Sequence, residues 1–251
     1  MIIMGILNVT PDSFADGGRH NSFEAAIARG KEMISEGVDI IDIGGESTRP
    51  GAERVSETEE LNRVIPVITE LTKLGVTISI DTMRASTARA AVSAGAQIIN
   101  DVSGGLADPQ MLSIAAALDL PYIAMHWRGQ SIDMNTKAIY NDVVEDVINE
   151  LQVRITAALD AGINREKLII DPGIGFAKDA DHNWAIINNI DAFVALGYRV
   201  LVGGSRKRFL GANTPDEREN ASIALTKQLS PSGIWGVRVH SVRPHKEAIQ
   251  G

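Results

Sequence analysis

The chain has 251 residues, with 24 Lys or Arg against 32 Asp or Glu and a formal charge of −8. At 44% hydrophobic and 22% charged residues it is globular in composition, and its acidic balance excludes a surface built throughout to bind nucleic acid or anionic membrane. The absence of Cys excludes disulfides, thiol nucleophiles and thiolate metal sites, and no apolar run approaches the ~18 residues of a spanning helix. The opening MIIMGILNVTPDSF has no basic leader, so a soluble, cytoplasmic protein is expected, forming one domain over residues 1–251.

Short β-branched runs alternate with longer helical patterns. A strand over 2–8 precedes a helix over 22–36; 40–44 and 57–74 form the next pair, then 77–81 and 85–94, and 98–101 and 110–118. The second half repeats this with 122–126 and 140–161, 168–171 and 180–196, 200–203 and 217–229, and finally 236–240 with a short helix over 244–249. The strands are nearly continuous apolar runs, as expected of parallel strands covered on both faces. Gly37, Gly75, Gly95, Gly162 and Gly197 stand where helices should stop in a left-handed cap, and Asp108-Pro109 suits a helix start. Eight strand–helix pairs point to an α/β fold, a (β/α)8 TIM barrel with a short C-terminal helix. An open doubly wound sheet is the second choice, weakened for a dinucleotide binder by the lack of a G-x-G-x-x-G turn after the first strand.

In such a barrel the chemistry lies where the strands end. Those ends are Asn8, Gly44 to Arg49, Asp81-Thr82, Asn100-Asp101, His126, Asp171-Pro172-Gly173, Gly203 to Lys207, and Arg238-Val239-His240. A lone Asp after a strand is more often a cap or turn former. Eight polar ends that mix carboxylates, amides and cations are harder to explain as caps. Asp81, Asn100 and Asp171 should point into the mouth, where two carboxylates and an amide suit a flat heterocycle with an amidine-like N–H edge. The same carboxylates could hold a divalent ion or flank a glycosidic bond; the latter ranks low because Glu46 is the only Glu at a strand end.

Cations form a second group. Residues 199–215 contain four basic side chains and no acid, and 231–246 contain Arg238, Arg243 and Lys246 with no acid. In a chain of net charge −8 this indicates an anionic ligand near strands seven and eight. Arg208, Arg243 and Lys246 fit a solvated basic face better. Arg206 and Lys207 follow Gly203-Gly204-Ser205, a loop able to approach a ligand closely, and are balanced between the two readings. Arg238 and His240 fall on one side of their strand, a spacing that suits a pincer for pyrophosphate or carboxylate, with His240 alternatively capping a helix C-terminus; His126 fits a hydrogen-bonded rim residue. The Gly- and Pro-containing loops 10–18 and 45–51 suit lids, or ordinary connectors.

The ordered strings MGILNVTPDSFADGG, DIGGESTRPGA, SIDT, IINDVSGG, DPGIGFAK, GGSRKRFLG and WGVRVH resemble those of bacterial dihydropteroate synthases, a pterin-binding TIM-barrel family, over nearly the whole chain. The resemblance implies a transferase of folate biosynthesis, and a sulfonamide target, that joins 6-hydroxymethyl-7,8-dihydropterin diphosphate to p-aminobenzoate with Mg2+ and releases pyrophosphate. It implies that Asp81, Asn100, Asp171 and Lys207 hold the pterin, with Asp42 in indirect support. Thr48, Arg238 and His240 would bind the diphosphate, and Asn8 would help place Mg2+ and pyrophosphate. Asp16 and Arg49 would complete the closed site, acting with Lys207 in catalysis. Phe14, Pro50, Phe176 and Ser205 would frame p-aminobenzoate. It further implies a homodimer, small-molecule substrates, and no nucleic-acid or membrane partner. Three rivals are a non-catalytic paralogue, a pterin-binding methyltransferase and an unrelated phosphate-binding barrel. The presence of Asp16, Thr48, Arg49 and Lys207 opposes the first, and the anion set Arg49, Arg206, Arg238 and His240 opposes the second.

Overall fold

The computed structural model describes residues 1–10, 18–47, 54–130, 134–211, 214 and 217–250. Eight parallel strands follow one another in chain order and close into a barrel, as expected, with β8 bonded back to β1. The elements are β1 (Ile2–Asn8), α1 (Gly18–Ser35), β2 (Ile40–Gly44), α2 (Glu57–Thr72), β3 (Thr77–Asp81), α3 (Ala85–Ser93), β4 (Ile98–Asp101), α4 (Met111–Leu118) and β5 (Tyr122–Met125). They continue with α5 (Val143–Asp160), β6 (Leu168–Asp171), α6 (Ala180–Asn188), α7 (Ile190–Val194), β7 (Arg199–Val202), α8 (Glu219–Leu229), β8 (Gly236–Val239) and α9 (Arg243–Gln250). Closure rules out the open sheet.

The five glycines expected to stop helices all have φ between 75° and 115°, the left-handed region that L side chains disfavour. The helix expected over 180–196 is instead broken at Asn189 into α6 and α7. The Asn189 side-chain amide donates to the Ala185 carbonyl at 2.8 Å, a local bond that competes with the helical ladder. The N-cap of α4 is Gln110, and Asp108 is not the cap itself but stands two residues ahead of it. Its Oδ1 accepts from the Gln110 amide at 2.9 Å, ahead of α4, while Oδ2 accepts from the Ala85 amide at the start of α3 at 2.8 Å. Short α9 packs on α8 with His245 fully buried, its Nδ1 2.7 Å from the Thr226 hydroxyl.

Because strand side chains alternate, each strand serves two cores. Outward residues such as Ile41, Ile80, Ile99 and Val200 pack beneath the helices. Inward, Met4, Ile40, Ile98, Ile123, Ile169 and Leu201 form a separate apolar layer, with Ile2 and Trp235 packed against it. This layer fills the N-terminal part of the barrel. Two residues further toward the C-terminal ends, the inward positions of β2, β4 and β6 are polar, and that of β5 is Met125.

Candidate active site

Two residues beyond Ile40, Ile98 and Ile169 along their own strands, the alternation delivers Asp42, Asn100 and Asp171 to the barrel interior, joined by Asp81 from β3 and Arg238 from β8. Asn100 Nδ2 donates to Asp42 Oδ2 at 2.9 Å, and Arg238 Nε donates to the same oxygen at 2.6 Å. Arg238 Nη2 donates to Asp81 Oδ2 at 2.6 Å, so one guanidinium bridges two carboxylates. Burial pushes the Asp81 carboxyl up to about 7; the Arg238 charge opposes the rise and Asp42 adds to it. Burial works against the Arg238 charge, yet Asp42 and Asp81 outweigh it and hold its pKa above the ordinary arginine range. Asp171 is also raised by burial, against the pull of the Gly173 amide, which donates to its Oδ1 at 2.7 Å, and of Lys207.

Lys207 reaches this floor from the loop after β7. Arg206 adopts φ of +57°, and that turn sends the two adjacent cations in different directions. Arg206 pairs outward with Glu219 at 2.5 Å and donates to the Ser241 hydroxyl at 2.8 Å. The Lys207 ammonium donates to the Ile174 carbonyl and stands 4.5 Å from the centre of the Phe176 ring. Burial lowers its pKa to about 8, against the attraction of Asp171. Phe176 packs with Met83, Val102 and Met125, an apolar wall beside the polar floor. Ser205 Oγ accepts from the His240 amide at 3.2 Å and lies 3.0 Å from His240 Nδ1.

Several expectations require revision. Arg238 and His240 do not form a pincer here: the first turns to Asp42 and Asp81, the second to Ser205. Three strand-end groups face the helices and not the mouth. Asp101 accepts from the Ser103 and Tyr122 hydroxyls at 2.6 and 2.8 Å, and Glu46 pairs with Arg84 and Arg54 at 2.7 and 2.8 Å. His126 lies 2.9 Å from both Glu150 Oε2 and Lys178 Nζ, and burial lowers its pKa to about 4. Phe14, Asp16, Thr48, Arg49 and Pro50 lie outside the described residues. Sequence reasoning missed Lys178 and the Met83–Val102–Met125 wall; the alternation of β5, which points His126 out, was the available signal that Met125 points in.

Asn8 ends β1 beside Gly44 in register. A Cβ on Gly44 would stand 3.6 Å from Asp81 Oδ2 and 3.7 Å from Asn8 Oδ1, so the glycine leaves a gap between an amide oxygen and a carboxylate. Among the described residues no group of three or more His, Cys, Asp or Glu could hold a metal ion. The gap therefore fits a small hard cation only when a polyanionic ligand and water complete its shell, the usual mode for Mg2+.

Comparison with known proteins agrees with this geometry. The family described as pterin binding enzyme matches residues 4–240. The chain is 45% identical to the dihydropteroate synthase of Mycobacterium leprae over 99% of this chain and 91% of that one. It is 49% identical to that of Bacillus subtilis over 96% and 84%. Among solved structures, Xanthomonas albilineans dihydropteroate synthase with 4-aminobenzoic acid superposes with a TM-score of 0.93 at 43% identity, covering 99% of this chain and 90% of that one. The Clostridium difficile enzyme in the presence of pteroic acid gives 0.94 at 40%, covering 100% and 94%. With these matches running almost end to end, the chain belongs to the pterin-binding enzyme family.

Proposed function

We propose that the chain is a dihydropteroate synthase, a transferase of folate biosynthesis that joins 6-hydroxymethyl-7,8-dihydropterin diphosphate to p-aminobenzoate. The observation that carries this reading is the interior set Asp42–Asn100–Asp81–Arg238 toward the C-terminal ends of the barrel strands, flanked by Asp171, Lys207 and the Phe176 wall. Solved relatives named for complexes with 4-aminobenzoate and with 7,8-dihydropteroate support it.

In this reading Asp81, Asn100, Asp171 and Lys207 hold the pterin edge. Ring N–H donors replace Arg238 on the carboxylates and release the guanidinium toward the diphosphate, where His240 and Thr48 join it. Asn8 would hold Mg2+, which when bound neutralises charge on the departing pyrophosphate. The bond from the exocyclic carbon to oxygen breaks with its electron pair on the pyrophosphate. Asp81 and Asp171 favour the cation left on the electron-rich pterin. The neutral aniline nitrogen then supplies its lone pair to the new C–N bond and loses one proton to water or pyrophosphate. The displacement is SN1-like, with no covalent enzyme intermediate. Phe14, Pro50, Phe176 and Ser205 frame p-aminobenzoate, and Asp16 and Arg49 complete the closed site with Lys207. One domain over residues 1–251, a homodimer and a cytoplasmic location accompany the reading on the strength of the family likeness.

The test is pyrophosphate release from the pterin diphosphate, with and without p-aminobenzoate and Mg2+. Release coupled to dihydropteroate, and lost in Lys207→Ala and Asp81→Ala, is expected. Tight pterin binding without product would sink the reading in favour of a non-catalytic paralogue.

A further inference from the structure

The loop after β6 carries two groups of the site, the Ile174 carbonyl that receives Lys207 and the Phe176 ring. Its backbone is unusual: Gly173, Gly175 and Ala177 have φ of 69°, 78° and 48°, the last in a residue that disfavours this region. Such a conformation persists only where its surroundings over-determine it. Those surroundings converge on Lys178, which is only 8% exposed. Its ammonium donates to the Gly173 carbonyl at 3.0 Å and to the Phe176 carbonyl at 3.1 Å, and lies 2.9 Å from His126 Nδ1.

An ammonium has three N–H donors, and these three acceptors satisfy all of them without a carboxylate. The arrangement also assigns the histidine tautomer. The Glu150 carboxylate can only accept, so the proton sits on Nε2 and is donated to it, which leaves Nδ1 to accept from Lys178; Arg128 holds the same carboxylate through Nη2 at 2.5 Å. Tyr140 adds one more tie through its hydroxyl, which donates to the Ala177 carbonyl at 3.0 Å. The loop is thus pinned from behind by groups that do not reach the polar floor.

We infer that Lys178 is a positioning residue: from behind the barrel wall it sets the β6–α6 loop so that Phe176 and the Ile174 carbonyl fix Lys207 and the p-aminobenzoate face of the site. The catalytic part of this inference rests on the synthase reading; the positioning part does not.

Two measurements separate them. Lys178→Met keeps the length of the side chain and removes its donors. By hydrogen exchange and mass spectrometry, peptides covering 173–178 should exchange at least ten-fold faster in the variant, with the β1–β4 peptides unchanged. This holds whatever reaction the protein performs, and equal exchange overturns the inference. In steady-state assays KM for p-aminobenzoate should rise about ten-fold, with less than a three-fold change in KM for the pterin diphosphate. A purely structural role would lower the active fraction, and with it kcat, and leave both KM values in place; that result also overturns the inference. Phe176→Leu should raise the same KM, and the double variant should add little to either single change. If Lys178→Met does not fold, His126→Leu removes one of the three acceptors and should raise loop exchange and KM for p-aminobenzoate about three-fold; unchanged values count against the inference. A wild-type protein that makes no dihydropteroate would refute the synthase reading, and the exchange experiment would still decide the role of Lys178.

Discussion

Arg238 and Asp42 sit 196 residues apart in the chain and 2.6 Å apart in the barrel, and the same guanidinium reaches Asp81 at 2.6 Å. Lysine offers a point charge and not a planar fork, so Arg238→Lys should serve one carboxylate and abandon the other. Leaving one buried carboxylate without its partner should cost about 3 kcal/mol of stability. Thermal or urea unfolding checks this, and kcat/KM for the pterin diphosphate should fall with it.

The Lys207 ammonium lies over the Phe176 ring and donates to the Ile174 carbonyl. Lys207→Ala should lower kcat about 10²–10³-fold, the usual effect of removing one oriented donor from a site of developing charge. Thermal unfolding of the variant checks that the loss of activity is not a loss of fold.

Two glycines of one loop should fail differently. A Cβ on Gly173 would lie 2.4 Å from the His126 carbonyl oxygen, a backbone atom that cannot yield. Gly173→Ala should therefore lose several kcal/mol of stability, on the order of 3 or more. A Cβ on Gly175 would meet Lys207 Cδ at 2.6 Å, a flexible side chain. Gly175→Ala should keep more of its stability, lose activity, and show a displaced Lys207 in a crystal structure.

His126 should give the fold an acid-sensitive element. Burial, helped by the Lys178 charge, sets its pKa near 4, below the ordinary value of 6.5. A depressed histidine contributes stability that is complete above 6.5 and is lost as pH falls toward 4, because the unfolded chain takes up the proton first. Wild-type stability should fall across that window by at most about 3 kcal/mol, and His126→Gln should flatten the slope. Chemical denaturation at half-unit pH steps measures it.

Asn8→Ala removes the amide oxygen beside the Gly44 gap. The Mg2+ concentration for half-maximal activity should rise roughly ten-fold, about 1.4 kcal/mol, with kcat recovered at saturating Mg2+. An unchanged requirement would take Asn8 out of the ion's surroundings.

Much of the barrel was legible because a strand's period of two leaves little choice. Once β3, β4 and β6 are placed, Asp81, Asn100 and Asp171 have to face inward together. The destinations of long side chains were not legible. Arg206 and Lys207 are neighbours of equal charge, and only the positive φ of Arg206 separates one into the site and the other onto Glu219. Lys178 precedes the Asp179 that caps α6 and reads as a solvated lysine at a helix entrance. Its burial comes from the fold of the preceding loop, whose left-handed turns bring two carbonyls around it beside the His126 ring that follows β5.

The apolar layer of Met4, Ile40, Ile98, Ile123, Ile169 and Leu201 beneath the polar floor has a bearing on traffic. Among the described residues this layer closes the barrel at its base, which leaves the end at the C-terminal side of the strands as the way in. On the synthase reading, a pterin resting on Asp42 and Asn100 would enter ahead of p-aminobenzoate lying over Phe176, and the upper occupant would be joined to it or depart before the lower one leaves. On that reading arrival order is a property of the architecture, imposed by six apolar side chains at the base of the barrel.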